Sequence, residues 1–140
     1  MNDQMIIKDS GNREVFDTGS KRDTRDGKGR YDLLPTRAIA RLARHFEGGA
    51  NKYGVRNWEK GQPLGRYMDS ALRHAFKHLE GQKDEDHLIA AVWNLLCLAD
   101  SEERIKEGIL NPNLDDLPKD IQKQMVFAIT ETIANGPKSL

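Results

Sequence analysis

Four acidic or imidazole side chains could together hold a divalent cation: Glu47, Asp69, Asp84 and His87. Asp84 and His87 are three residues apart, so on a helix they lie on one side, about one turn from each other. Oxygen ligands in a chain with few thiols favour Mg²⁺, with Mn²⁺ as the second choice, over structural zinc. We predict a Mg²⁺ or Mn²⁺ site at these four residues. Three of them also have an ordinary alternative: Glu47 as a solvated helix residue, Asp69 as part of a surface ion pair, and Asp84 as a first-turn acidic residue that stabilises the helix dipole.

The segment around Asp69 carries two further candidates for catalysis, Arg73 and His74. Asp69 and Arg73 are four residues apart, which also suits a surface ion pair on a helix. His74 and His78 share one face at metal-binding spacing, but the zinc-protease pattern HExxH is absent. The predicted catalytic residues are therefore Glu47, Asp84, Arg73 and His74.

Basic, amide and aromatic side chains gather near a loop that two glycines and a proline interrupt. Basic groups of this kind can neutralise phosphates, and a loop tryptophan packs either on the core or on a ligand. Gly27-Lys28-Gly29 lacks the spacing and the preceding strand of a P-loop. The predicted substrate-binding residues are Lys28, Arg30, Lys52, Tyr53, Arg56, Asn57, Trp58, Lys60 and Asn94.

The composition limits the class of protein. The 140 residues contain 22 basic and 22 acidic side chains, which argues against a strongly basic nucleic-acid binder. The charge is nevertheless sorted, because residues 31–80 hold nine basic and five acidic groups and residues 81–140 hold six and eleven. The apolar run Leu88–Ala99 is too short to cross a bilayer, and Cys97 is the lone cysteine. We expect a cytoplasmic protein that binds no membrane and does not use nucleic acid as a substrate.

Helical periodicity organises most of the chain after Pro35. It predicts helices from Pro35 to about Tyr53, from about Leu64 to Glu80, from near Asp84–Asp86 to about Glu107, and from about Pro118 to Ala134. Gly48 and Gly49 indicate either that the first helix ends there or that something approaches its backbone closely. We therefore predict an all-α bundle of about four to five helices. Its parts are a flexible or extended arm (1–26), a catalytic helical core (27–110), and a C-terminal turn with an amphipathic helix (111–140).

Two stretches carry a family resemblance. They read Gly27-Lys28-Gly29-Arg30-Tyr31-Asp32-Leu33-Leu34-Pro35, and from Glu47 the series Lys52-Tyr53-Gly54, Asn57-Trp58-Glu59-Lys60-Gly61, Arg73-His74 and Trp93-Asn94. Over roughly residues 27–100 the chain resembles the small phage dATP/dGTP diphosphohydrolases, the MazZ-like branch of the all-α nucleoside triphosphate pyrophosphatases related to MazG.

The resemblance implies Mg²⁺-dependent hydrolysis of a purine deoxynucleoside triphosphate to the monophosphate and diphosphate, in phage nucleotide-pool metabolism. It implies a homo-oligomer, dimer or tetramer, acting in the host cytoplasm if a phage encodes the protein. MazG enzymes carry ExxE and ExxD metal motifs on consecutive helices. Here the ExxD positions fall on Asp84 and His87, and the ExxE region has no glutamate. Asp69, His74 or Glu47 are the candidate substitutes.

Two readings of other classes stay open. A non-enzymatic helical interaction or adaptor protein would explain the bundle and the sorted charge without a metal. A phosphohydrolase of the HD kind requires an adjacent His-Asp pair, whereas this chain has Asp86-His87 in the reverse order.

Overall fold

The computed structural model describes residues 7–119 and 121–136, with the backbone alone for residues 121–126. The chain divides into two compact units, Met1–Thr36 and Arg37–Leu140. The predicted segments 1–26, 27–110 and 111–140 are drawn by expected role, whereas these two units are defined by compactness. The predicted boundaries therefore remain predictions.

The first unit contains a small antiparallel hairpin. Strand β1 (Arg13–Val15) pairs with strand β2 (Lys21–Asp23), and Glu14 lies opposite Arg22. The hydrophobic pattern of the sequence does not predict this hairpin, because its strands are polar and bury almost no surface. A short 3₁₀ helix, Tyr31–Leu33, ends the unit.

The predicted all-α class is confirmed by the second unit, in which helices dominate the described residues. These helices are α1 (Thr36–Tyr53), α2 (Leu64–Leu79), α3 (His87–Lys106) and α4 (Ile121–Asn135), with 3₁₀ segments at Asn57–Lys60 and Pro112–Leu114. Asp86 caps α3, because its side chain accepts a hydrogen bond from the backbone N–H of Ile89. The Asp86 carboxylate also makes a two-pronged ion pair with Arg41, which ties α1 to the start of α3.

The glycine pair in α1 does not end the helix. Both Gly48 and Gly49 lie inside α1, and a Cβ placed on either would meet no atom within 4 Å. The first of the two predicted alternatives is therefore wrong, and none of the residues that the structure describes fills the space beside Gly48 and Gly49.

The core lies between α2 and α3, the most closely packed pair of helices. Its buried members are Leu64, Tyr67, Cys97 and Leu98. Trp58 packs against this cluster from the loop, and its predicted contact with a ligand stays a prediction. Other partly buried members are Phe46, Met68, Trp93, Ile105 and Leu117.

The segment after α3 closes over the loop that precedes α2. The Asp116 carboxylate accepts a hydrogen bond from the backbone N–H of Gly65 at 2.7 Å, which satisfies a free donor in the first turn of α2. Gly61 has φ of +91°, and a Cβ there would stand 2.8 Å from Leu114 Cδ1. This close approach requires glycine at position 61.

Two helices keep apolar rows exposed. The row on α2 comprises Leu72, Phe76 and Leu79, and the row on α3 comprises Leu88, Val92 and Leu95. None of the helices in the described part of the chain combines the length and apolar character that a bilayer crossing requires.

Candidate functional site

A cavity of ≈ 980 Å³ lies in the second unit. Its wall combines the C-terminal half of α1, the loop before α2, and the facing sides of α2 and α3. Glu47, Gly48 and Gly49 line it from α1, and His74 and Asn94 line it from α2 and α3. The volume falls at the upper end of the range for small-molecule sites, about 300–1,000 Å³. The cavity is therefore large enough for a nucleotide.

Three side chains converge beside this cavity: His74 of α2, Glu85 of the loop that follows, and His87 at the start of α3. The two Nδ1 atoms of His74 and His87 are 3.0 Å apart. Glu85 Oε1 lies 3.5 Å from His74 Nδ1 and 3.2 Å from His87 Nδ1. The three ligand atoms lie within 4.8 Å of one another, so this cluster could hold a metal ion.

Asp84 orients His87 from the other edge of the imidazole ring. The distance from His87 Nε2 to Asp84 Oδ1 is 2.7 Å. Because a carboxylate accepts hydrogen bonds, the proton on this edge belongs to Nε2. That hydrogen bond lowers the pKa of Asp84 below its ordinary value. His87 itself is buried, so its orientation is fixed by packing as well.

The pKa of His74 is lowered from its ordinary value of 6.5, chiefly by burial. A lowered pKa keeps the imidazole neutral near pH 7. A neutral imidazole has a free nitrogen lone pair, which is the form that binds a metal ion.

The predicted site residues are divided between the cavity and other places. Eight of them line the cavity: Glu47, Lys52, Tyr53, Arg56, Asn57, Trp58, His74 and Asn94. His87 and Asp84 are not in the cavity lining, but His87 contacts the cavity residue His74, and Asp84 contacts His87. Lys60 lies in the 3₁₀ segment Asn57–Lys60 without lining the cavity.

The four predicted metal ligands do not form one cluster among the described residues. Asp69 pairs with Arg73 at 3.0 Å on the exposed side of α2, away from the cavity lining. Asp84 approaches the edge of His87 opposite to the one that faces His74. Glu47 lines the cavity but is not part of the histidine cluster.

Lys28 and Arg30 belong to the first unit. Each is already paired with a carboxylate there, Lys28 with Asp23 and Arg30 with Asp32, both at 2.6 Å. Their predicted role in substrate binding stays a prediction.

The loop cations and aromatic rings have defined partners. Arg56 adopts a left-handed backbone conformation, with φ of 59°, and pairs with Glu59. The guanidinium of Arg104 lies 5.2 Å from the centre of the Trp58 ring, which limits the face left for a base. Tyr53 is largely exposed, and the Lys52 ammonium lies 5.0 Å from its ring centre.

Asn94 is buried, and its Nδ2 donates to the carbonyl of Ala90 at 2.8 Å. The amide in the apolar run thus satisfies one donor within its own helix. Asn94 also lines the cavity, and its role in substrate binding stays a prediction.

Sequence reasoning missed Glu85, which completes the histidine cluster. The available signal was its position two residues before His87, in the acidic run Asp84-Glu85-Asp86. An acidic run before a helix is also typical of dipole stabilisation, so the signal alone is weak.

The donor set of the histidine cluster does not fit Mg²⁺. Mg²⁺ demands oxygen ligands in a near-octahedral arrangement, whereas this cluster supplies two imidazole nitrogens and one carboxylate. Glu47 is an oxygen donor of the kind that Mg²⁺ takes when it arrives with substrate phosphates.

The fold and the cavity define an all-α protein with a nucleotide-sized site edged by metal-capable groups. Residues 18–109 match the family model described as dATP/dGTP diphosphohydrolase, N-terminal. Because this match covers more than half of the chain, the protein belongs to that family. No curated protein and no solved structure shows significant similarity to the chain.

Proposed function

We propose that this protein hydrolyses purine deoxynucleoside triphosphates, dGTP or dATP, to the monophosphate and diphosphate. The observation that carries the proposal is the cavity of ≈ 980 Å³, in which cationic and carboxylate side chains face one space. The protein's membership of the dATP/dGTP diphosphohydrolase family supports the substrate class. In the reaction, a water oxygen bonds to the α-phosphorus and the bond from that phosphorus to the bridging oxygen breaks. Diphosphate is then the leaving group.

Arg44, Lys52 and Arg56 line the cavity, and of the predicted substrate-binding residues Lys52 and Arg56 are the two cavity-lining cations that suit the triphosphate. Phosphoryl transfer is accelerated mainly by positioning and by charge that offsets the negative oxygens. Arg56 is offset by Glu59, so Lys52 is the cation with the less compensated charge. Arg73 and Lys60 do not line the cavity and receive no contact role.

Glu47 lines the cavity, and we assign it the role of the base that accepts a proton from the attacking water. Its place on α1, beside the glycine pair, leaves room for a substrate against the helix backbone. Mg²⁺, or Mn²⁺ in its place, would supply charge neutralisation on the phosphates, with Glu47 as a protein ligand.

The purine end of the substrate needs an aromatic face and hydrogen-bonding amides. Tyr53 offers the more exposed ring, whereas Trp58 is packed between Phe46 and Arg104. Asn57 and Asn94 line the cavity and suit contacts to the base or the sugar.

We also propose a homo-oligomer, a dimer or a tetramer. The exposed apolar rows Leu72-Phe76-Leu79 and Leu88-Val92-Leu95 support it, because a monomer leaves this surface in water. A monodisperse monomer in light scattering at working concentration would contradict it. We place the reaction in the cytoplasm, and in that of the host if a phage encodes the protein.

The test is a panel of deoxy- and ribonucleoside triphosphates with Mg²⁺ or Mn²⁺, scored separately for diphosphate and phosphate. We expect diphosphate as the first product, with dGTP and dATP as the fastest substrates. Glu47→Gln should abolish turnover and Lys52→Gln should raise KM, while Arg37→Gln on the same helix serves as the matched control. Phosphate as the first product would refute the reaction. Failure to turn over any nucleotide would favour the non-enzymatic interaction protein.

A further inference from the structure

We propose that His74, Glu85 and His87 form a resident site for a first-row transition-metal ion such as Mn²⁺, Fe²⁺, Co²⁺ or Zn²⁺, chemically distinct from any Mg²⁺ that accompanies the substrate. The inference concerns the protein alone, so it does not depend on which triphosphate is hydrolysed.

The spacing of the three atoms matches one face of a metal coordination sphere. Ligands about 2.0–2.2 Å from an ion and about 90–110° apart are separated from each other by about 3.0–3.5 Å. The observed separations are 3.0 Å between the two Nδ1 atoms, and 3.2 and 3.5 Å from these to Glu85 Oε1. An ion slightly above the plane of the three atoms would therefore lie within bonding distance of all of them.

The hydrogen-bonding pattern leaves this face rich in electron pairs. Since His87 uses Nε2 to donate to Asp84, Nδ1 is the ring nitrogen left to bind an ion. His87 Nδ1 lies 3.2 Å from Glu85 Oε1 and 3.0 Å from His74 Nδ1. A proton on His74 Nδ1 can form a full hydrogen bond to only one of two neighbours, His87 Nδ1 or Glu85 Oε1. A cation satisfies all three atoms at once.

The surroundings of the cluster resemble those of metal sites in proteins, where a second layer of groups orients the ligands. A carboxylate that accepts from the outer nitrogen of a ligating histidine fixes the tautomer and the ring orientation, and Asp84 occupies that position. His87 has no exposed side-chain surface, whereas Glu85 is about half exposed. His74 and Glu85 also line the cavity. The remaining coordination positions thus open toward the cavity, where water or a phosphate oxygen can enter.

Two imidazoles and one carboxylate select the class of ion. Imidazole suits zinc, iron and other first-row transition ions, whereas Mg²⁺ retains water in preference to nitrogen. We therefore expect the metal-free protein to bind one Mn²⁺, Co²⁺ or Zn²⁺ ion per chain at least about 100-fold more tightly than Mg²⁺.

The test measures metal binding to chelator-treated full-length protein in the absence of nucleotide, by calorimetry with Mn²⁺, Co²⁺, Zn²⁺ and Mg²⁺ and by Co²⁺ absorption. His74→Asn and Glu85→Gln should each weaken binding of the transition ions by at least about 100-fold, and Asp84→Asn by about 10–100-fold. His78→Asn, one turn further along α2, is the matched control and should bind as the wild type does. Circular dichroism of each variant separates loss of metal from loss of fold.

Equal affinity for Mg²⁺ and Mn²⁺ would overturn the assignment. So would unchanged transition-metal binding in folded His74→Asn and Glu85→Gln variants, or no binding of any transition ion. Because no nucleotide is present, these results are independent of whether the proposed hydrolysis occurs.

Discussion

The carboxylate of Asp116 caps the first turn of α2 from a distance of 51 residues, through a 2.7 Å hydrogen bond from the backbone N–H of Gly65. The residue before the helix, Pro63, supplies no side-chain cap of its own. The loop that lines the cavity and the helix that carries His74 therefore depend on a residue beyond α3.

Asp116→Ala should lower the free energy of unfolding by about 1 kcal/mol, because it leaves a helix-terminal N–H without its partner. Gly65→Ala should also destabilise, since its Cβ would stand 3.1 Å from Asp116 Oδ1 and push the carboxylate away. The measurement is denaturant unfolding of each single variant and of the double variant. The double variant should cost less than the sum of the two, because both changes break one contact. Glu102→Ala, an exposed acidic residue on α3, is the control, and strict additivity would refute the shared contact.

Gly49→Ala should stabilise the fold while impairing substrate binding. Replacing a helix-interior glycine gains about 0.5–1 kcal/mol, and no atom obstructs the added methyl. The methyl projects into the cavity wall, so KM for the triphosphate should rise. Asn51→Ala, also in α1 but outside the cavity lining, should gain helix stability without changing KM. Thermal unfolding together with steady-state kinetics measures both effects, and an unchanged KM in a stabilised Gly49→Ala protein would show that substrate does not use this wall.

Arg56→Asn should separate the charge of this residue from its backbone conformation. Asparagine tolerates the left-handed region, so the fold should lose little, and the exposed pair with Glu59 is worth at most about 1 kcal/mol. Loss of the cation should raise KM for the triphosphate by about tenfold or more. Arg56→Val is the contrasting variant, because a β-branched residue at φ of 59° should lower the melting temperature. Equal melting temperatures for the two variants would contradict the conformational argument.

The metal-free protein should lose stability as the pH falls below 6.5. The pKa of His74 is lower in the folded protein than its ordinary value of 6.5, so below that pH the unfolded chain binds protons more readily. Asp84, whose pKa is also lowered, adds a second loss below pH 3.8. Unfolding midpoints between pH 7.5 and 5 should therefore decline, and the decline should be smaller in His74→Asn. Parallel curves for wild type and variant would exclude His74 as a source.

The helical architecture could be predicted from the sequence because periodicity and helix-ending residues are local signals. The prediction of a second helix from about Leu64 matches α2, and Gly81 with φ of +78° follows its end. The predicted start of the third helix near Asp84–Asp86 includes Asp86, which caps α3. A polar hairpin such as β1–β2 has no comparable hydrophobic pattern.

The histidine cluster could not be predicted in full, because it depends on how two helices and their connection pack. The sequence grouped Asp84 with His87 on the assumption that both lie on one helix, but α3 begins at His87 and Asp84 lies in the connection before it. The meeting of His74 with His87 requires the packing of α2 against α3. The position of Glu85 requires the conformation of the connecting loop, which no local pattern encodes. The Asp116 cap was missed for the same reason.

The contacts of residues 110–117 determine when the start of α2 can reach its final structure during translation. Residues 18–109 match the family, yet the cap on Gly65 and the packing of Leu114 against Gly61 come from beyond that region. During synthesis, the backbone N–H of Gly65 in the first turn of α2 has no side-chain acceptor until Asp116, 51 residues later, has been added to the chain. Until residues 114–116 leave the exit tunnel, the loop between α1 and α2 lacks its contact with Leu114, and the start of α2 lacks its cap.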